Sequence, residues 1–377
     1  MKIRAFCFTL SLLLASSFSK ATNILPSLPE PVTNNAVASV TVNDEQHIVS
    51  FMGLGAGKGI NDVHNKVWKL VIKADGTNDG WKTMPSVPSS LKLKGRLASV
   101  AVGLDDKIYL FGGYTVATDH SEISAPDVYA FDVKTDSYTL LAPMPVPVDD
   151  AVALVYRDRY IYLISGWHND GNVNLTQVYD TFKDEWFQAS PFLGKPVFGH
   201  AGGIVDNQIM ICDGVTTQAH MIQRRSFVAE AACYLGEINM IFPSKINWYS
   251  WVHPTDESRY RMAAAGDVEN NRILFVGGSN NPYNYDGIGY NKKPSEPNNE
   301  IWSYYLDSRT WKVTTSESAT MDHRGLLQVG DKWVTIGGMA ENQKVLGDMT
   351  PHLKTTNPTA TKDNADAISA TASPSSN

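Results

Sequence analysis

Tyr109-Leu-Phe-Gly-Gly113, Tyr162-Leu-Ile-Ser-Gly166, Met210-Ile-Cys-Asp-Gly214, Leu274-Phe-Val-Gly-Gly278 and Val334-Thr-Ile-Gly-Gly338 are five versions of one phrase, a short β-favouring apolar run that stops at glycine. Met52-Gly-Leu-Gly55 supplies a sixth. An aromatic follows most copies at Trp68, Tyr129, Tyr179, Tyr234 or Trp302. A second follows at Trp81, Tyr138, Trp186, Trp248 or Trp251, and Trp311. The repeating unit is therefore four strands: an apolar strand, a strand that ends in glycine, a long loop, and two aromatic-marked strands. One such twisted sheet cannot bury both of its faces, and stacking the copies in a ring provides the missing cover.

The glycine pairs with their spaced Tyr and Trp resemble the kelch family over nearly the whole chain. The resemblance implies an all-β, six-bladed kelch-type β-propeller, expected over residues 22–350. After Gly338 only one further strand is expected, around Val345 to Met349, so the last blade is short of an outer strand. Leu25-Pro-Ser-Leu-Pro29 matches the blade-ending Met84-Pro-Ser-Val-Pro88 and Met144-Pro-Val-Pro147. An N-terminal strand from Leu25 to Pro29 is thus expected to close the last blade and remove the exposed edges of an open ring.

Lys2 and Arg4 precede an apolar run from Ala5 to Leu14, and small residues lead to Ala21. That is the pattern of a signal peptide over residues 1–21. The expectation is export to the periplasm or medium after cleavage near Ala21, with no membrane span in the remainder. Residues 351–377, rich in Ser, Thr and Ala, read as a disordered tail. The net charge of −7 argues against nucleic acid as a partner. Beyond Cys7 only Cys212 and Cys233 remain, which leaves open either a bridge or two buried thiols.

Aligning the first polar residue of each innermost strand gives Asn35, Arg96, Asp150, His200, Arg261 and Arg324. In an up-and-down blade that end shares a face with the loop after the glycines, so a polar ring is expected at the channel mouth. Three arginines there suit a carboxylate, phosphate or sulfate. The kelch resemblance also implies the other role for such an Arg, bonding to the backbone of a neighbouring blade. Asp149 and Asp150 are adjacent, so strand alternation is expected to point them apart, with only Asp150 in the ring. The loop from Ser279 to Glu300 carries Tyr283, Tyr285 and Tyr290 and is either a lid suited to sugar rings or a plain surface loop. Trp167 and His168 are expected in the pocket wall. The loops from Tyr114 to Pro126 and from Val215 to Ala229 share this face, the second carrying His220, Arg224 and Arg225.

No phosphate loop, dinucleotide fingerprint, HExxH helix or GxSxG elbow occurs, and no metal or cofactor is expected. Among exported kelch propellers the chain resembles the N-acetylneuraminate epimerase family of sialic acid mutarotases. That implies an anionic sugar, with Asp150 or His200 in the acid–base role beside Arg96, Arg261 and Arg324 for the carboxylate, and with Arg225 matching the family's catalytic arginine across a longer loop. The family's Glu directly after the fourth-blade glycine is replaced by Val215, which passes that role to Glu230 or Asp213. The resemblance extends to galactose oxidase, whose copper site needs an extra domain for which this chain is too short. The alternative to an enzyme is a non-enzymatic scaffold that binds a peptide or polysaccharide on the same face.

Overall fold

The computed structural model describes residues 25–91, 95–116, 122–222 and 225–355. The signal peptide expected over residues 1–21 and all of the expected tail beyond Thr355 lie outside them. The chain forms six antiparallel sheets arranged as the blades of a β-propeller. Blade 3 shows the plan: Val152–Tyr156 lines the axis, Tyr160–Ile164 and Thr176–Asp180 follow outward, and Glu185–Gln188 forms the rim. The innermost strands of the other blades are Ala36–Val42, Val100–Leu104, Ala201–Val205, Ala263–Asp267 and Leu327–Val329.

The apolar core is divided among the seams between blades. One cluster joins Phe51 and Val49 of blade 1 to Ile108 and Phe131 of blade 2. Others join blades 3 and 4 through Tyr162 and Ile209, and blades 4 and 5 through Met210 and Phe275. Seam aromatics also tie neighbouring blades through polar bonds. Tyr138 Oη donates to Pro85 O at 3.0 Å, Trp186 Nε1 to Ala142 O at 2.9 Å, and Trp311 Nε1 to Val252 O at 2.8 Å. Each reaches the end of the preceding blade, so the repeated aromatics satisfy their polar edge while burying their rings.

This register shows how the ring closes. Trp81 Nε1 of blade 1 donates to Pro26 O at 2.9 Å, placing the N-terminal segment where the end of a preceding blade belongs. Val87 N, in the segment after the outer strand of blade 1, donates to Asn65 O, and Leu28 N donates in the same way to Gly347 O at 2.6 Å. Leu28 is buried in the seam between blades 6 and 1 with Trp68 and Val334. Leu25–Pro29 is not itself a strand, which corrects the expected closing strand. It takes the place that the Pro-flanked segment after the outer strand holds in other blades, and its prolines cannot donate to a ladder. The final blade is the three-stranded sheet Leu327–Val329, Lys332–Ile336 and Met349–Lys354. Its last strand runs past residue 350, and Val345 belongs to a separate short hairpin, Met339–Ala340 with Lys344–Val345.

Cys212 and Cys233 sit directly opposite each other on adjacent strands of blade 4 and are disulfide-bonded. No described helix is long and apolar enough to cross a membrane.

Candidate functional site

At every glycine phrase the second strand leaves its blade through two successive residues with positive φ. The pairs are Met52-Gly53, Gly112-Gly113, Ser165-Gly166, Asp213-Gly214, Gly277-Gly278 and Gly337-Gly338. The first copy therefore turns at Gly53, two residues before the Gly55 expected. Glycine holds the second place in all six because a left-handed backbone is combined with close approach. A Cβ at Gly113 would stand 2.1 Å from Ser99 Oγ. The residue after each pair bridges back to the chain entering the innermost strand, as in Leu97 with Tyr114, Asp149 with Trp167, and Tyr260 with Ser279.

These bridges fix the true ring at the channel mouth. The next residue in each blade has positive φ again: Asn34, Ala98, Asp150, Gly199, Arg261 and Asp322. Backbone bonds pass from blade to blade through these positions, with Ala98 N donating to Asn34 O, Asp150 N to Ala98 O, Gly199 N to Asp150 O, and Arg261 N to Gly199 O. The expected ring was in this register only at Asp150 and Arg261. Asn35 is buried and donates to Ser50 Oγ. Arg96 is buried in an ion pair with Asp127 at 2.7 Å within its own blade. His200 turns aside, its Nε2 2.9 Å from Ile164 O, and burial lowers its pKa to about 4. These three are structural, and the neutral imidazole of His200 is not available to a ligand at the mouth.

Arg324 lies beyond the ring position but reaches back into it. Arg261 pairs with Asp150 at 2.5 Å and Asp322 at 3.0 Å, and Arg324 pairs with Asp150 at 2.6 Å. Asn34 Nδ2 donates to Asp322 Oδ2 at 2.6 Å, and Thr33 Oγ1 donates to the same oxygen. Burial alone would raise the Asp322 pKa, but Arg261 and Arg324 hold it below the usual range. Two arginines thus meet two aspartates in a buried, self-neutralised layer. The expected cluster of free arginines for an anion is corrected: these guanidinium groups already spend their donors on carboxylates of the chain.

Above this layer lies a cavity of about 500 Å³. Its walls come from short hairpins that follow the glycine turns: Tyr114–Val116 with Glu122–Ser124, Trp167–His168 with Gly171–Asn172, and Val215–Gln218 with Ser226–Ala229. The long loop of blade 5 crosses the mouth. Tyr290 stacks on Phe227 of blade 4 at 4.2 Å, Tyr285 packs on the cluster of Leu97 and Tyr114, and Gln343 of blade 6 donates to Ser295 O at 2.9 Å. These contacts hold the segment across the mouth. Tyr285 and Tyr290 line the cavity, whereas Tyr283 is fully buried beneath it against Tyr260, which removes it from the expected contacts.

Trp167 and Arg225 also line the cavity, the guanidinium lying 4.9 Å over the indole and 3.2 Å from the exposed Asp170. His168 does not line it, since its Nδ1 is engaged with Pro147 O at 2.6 Å. Glu230 pairs with Lys195, and Asp213 is buried against His253 and Arg259 N, so neither inherits the expected acid–base role.

Two acidic groups escaped the sequence reading. Asp149 lines the cavity beside Asp150 because the left-handed turn at Asp150 breaks the alternation that would have separated them. Ser124 Oγ donates to Asp149 Oδ2 at 2.8 Å, and no cation pairs with this carboxyl among the described residues. Burial, then the neighbouring Asp150, raise its pKa well above the ordinary value. Glu122 projects into the same space from the blade 2 hairpin, and although it keeps exposed surface, partial desolvation by the surrounding walls raises its pKa against the opposing pull of Arg261.

The chain is a six-bladed all-β propeller carrying the Kelch motif, whose family model matches residues 95–145. Among curated proteins, it is 31% identical to the Kelch-like protein terF of Aspergillus terreus over 147 residues, 37% of this chain and 30% of that protein. It is 28% identical to Kelch-like protein 15 of Gallus gallus over 115 residues, 30% of this chain and 22% of that protein. The chain thus spans less than a third of the length of these relatives. Kelch domain-containing protein 3 of Homo sapiens matches at 22% over 306 residues, 67% of this chain and 80% of that one. Among solved structures, YjhT aligns with a TM-score of 0.65 at 15% identity, covering 87% of this chain and 96% of its own. That likeness is one of fold.

Proposed function

We propose that the crown cavity binds a sugar-sized polyhydroxylated ligand and that Glu122 and Asp149 exchange protons with it. The observation that carries this reading is the pair of carboxyl groups, neither in an ion pair among the described residues, in a 500 Å³ cavity walled by Trp167, Phe227 and Tyr290. Aromatic faces suit the C–H surface of a sugar ring, and a few polar groups fix its orientation. The sialic acid mutarotase resemblance gives the enzymatic form of the proposal. A base takes the anomeric hydroxyl proton while an acid protonates the ring oxygen, the bond from the anomeric carbon to that oxygen breaks, and closure on the other face returns both protons. Asp149, whose pKa burial raises well above the ordinary value, suits the acid. Glu122, nearer solvent, suits the base. Of the arginines expected around the site, Arg225 alone keeps a readily displaced partner, because an ion pair to an exposed Asp170 is weak.

NMR exchange spectroscopy on α and β anomers tests the enzymatic form. Acceleration by the wild type, reduced about 100-fold in Asp149→Asn and in Glu122→Gln, is expected. No acceleration with any sugar bound in the cavity leaves a lectin and excludes a mutarotase.

A second reading, docking of a peptide or protein on this crown, is favoured by Met221 and Ile222, which are 102% and 98% exposed in the blade 4 hairpin. Peptide binding abolished by the double change to Ser at these positions, with sugar binding intact, supports that reading. We also propose export, which the Cys212–Cys233 disulfide supports because such bonds persist in oxidising compartments. Two free thiols in protein recovered from whole cells would count against it.

A further inference from the structure

We infer that the ligand of the crown cavity carries a protonated amine, received by Glu122 and Asp149, rather than a carboxylate. The inference rests on the binding reading of the cavity above and not on its mutarotase form, because carboxyls held by an ammonium cannot also serve as acid and base at the anomeric carbon, and it follows from pairing the charges of the described residues around the cavity. Asp150 and Asp322 are matched by Arg261 and Arg324 in the floor. Asp170 is matched by Arg225 in the wall. Two acids, Glu122 and Asp149, are left over, and no cation among the described residues forms an ion pair with either.

Asp149 is the sharper of the two. It is 3% exposed and borders the cavity, and among the described residues its hydrogen-bond donor is Ser124, whose Oγ donates to Oδ2. A carboxyl removed from water is costly to ionise without a cation beside it, and a cationic partner lowers that cost. A ligand cation supplies that partner, with an ammonium group offering three donors to the open oxygens. The walls suit the same chemistry, since Trp167, Phe227, Tyr114 and Tyr290 line the cavity with aromatic rings, which attract a cation. Arg225 already lies over Trp167, so the protein itself places a cation in this wall.

A bare metal ion is the poorer occupant. Among the described residues the convergent set of metal-ligand atoms is Asp213, Cys233 and His253, which lies outside the cavity and includes a disulfide sulfur. The carboxylates of the crown do not converge in that way. An organic cation large enough to touch both the carboxyls and the aromatic wall fits the size and chemistry of the space.

Titration calorimetry with D-glucosamine, N-acetyl-D-glucosamine and D-glucuronate, at a pH where the amine is protonated, tests this. The three share a ring and differ in charge. Glucosamine is expected to bind at least about tenfold more tightly than the other two, and Glu122→Gln and Asp149→Asn are each expected to remove about tenfold, the worth of a charge-assisted hydrogen bond. Glu122 is solvent-facing, so its variant folds whatever the effect at Asp149. Equal or tighter binding of the neutral or anionic sugar overturns the amine inference and leaves the cavity reading standing. An amine preference untouched by both variants overturns it as well. Failure of all three sugars to bind overturns the cavity reading together with the inference.

Discussion

A single dihedral decides which acids face the cavity. On a regular strand Asp149 and Asp150 would diverge, but Asp150 has a φ of 49°, and the left-handed turn brings both to the crown. Asp149 then pays for its position. Its folded carboxyl titrates above the unfolded one, so the penalty is absent below the ordinary value of 3.8, grows as pH rises, and is complete once the folded group has ionised. Asp149→Asn is therefore expected to be more stable than wild type in urea unfolding at neutral to alkaline pH, with the difference shrinking as pH falls towards 3.8. An Asn variant of equal or lower stability at alkaline pH contradicts this. The sequence shows that both acids exist but hides the turn that unites them. Aligning the inner strands on their first polar residue also drew in Arg96 and Arg324, whose chain positions straddle the ring, because the approach to each inner strand differs in length. Arg261 was legible, yet its saturation by Asp150 and Asp322 was not, since those partners arrive from other blades.

Among the elements, the turn out of each second strand carries the architecture of the crown. The glycine in its second place is plain in the sequence, while the first place is disguised as Met52, Ser165 and Asp213, residues that rarely take positive φ and are held there by the blade around them. Glycine at the second place is the one part the geometry cannot exchange. Gly113→Ala meets a left-handed backbone, worth about 1–2 kcal/mol against an L side chain, and Ser99 Oγ stands in the way of the new methyl. A loss of at least about 2 kcal/mol in chemical denaturation is expected from the two together. A loss below about 0.5 kcal/mol, the range of an ordinary surface substitution, contradicts the account. The hairpins that grow from these turns were read only as loops. Their strands are two to four residues long, too short for alternation to show, and Glu122 was overlooked for that reason.

The molecule as a whole is a ring whose stability lies in its seams, and a ring is as strong as its closure. The repeat, the blade number and the match between Leu25–Pro29 and the other blade ends were all legible because each recurs. That the segment works as a Pro-flanked clasp, through Leu28 N to Gly347 O and Trp81 Nε1 to Pro26 O, needed the three-dimensional register. Removing residues before Pro31 opens the seam between blades 6 and 1 and is expected to lower the melting temperature of the entire domain in one cooperative step. Unchanged melting contradicts that closure. The central claim is that function resides in the crown cavity above the Asp–Arg layer. Asn284 lines that cavity from the lid, so Asn284→Trp fills the space while leaving the floor untouched. Thermal melting with a panel of neutral, amino and acidic sugars, run on wild type and on Asn284→Trp side by side, tests the claim most directly. The account predicts stabilisation of the wild type by at least one sugar, reaching about 2.7 kcal/mol at roughly a hundred times Kd, and none in the blocked variant. A shift that survives in Asn284→Trp, or no shift with any sugar, would contradict it.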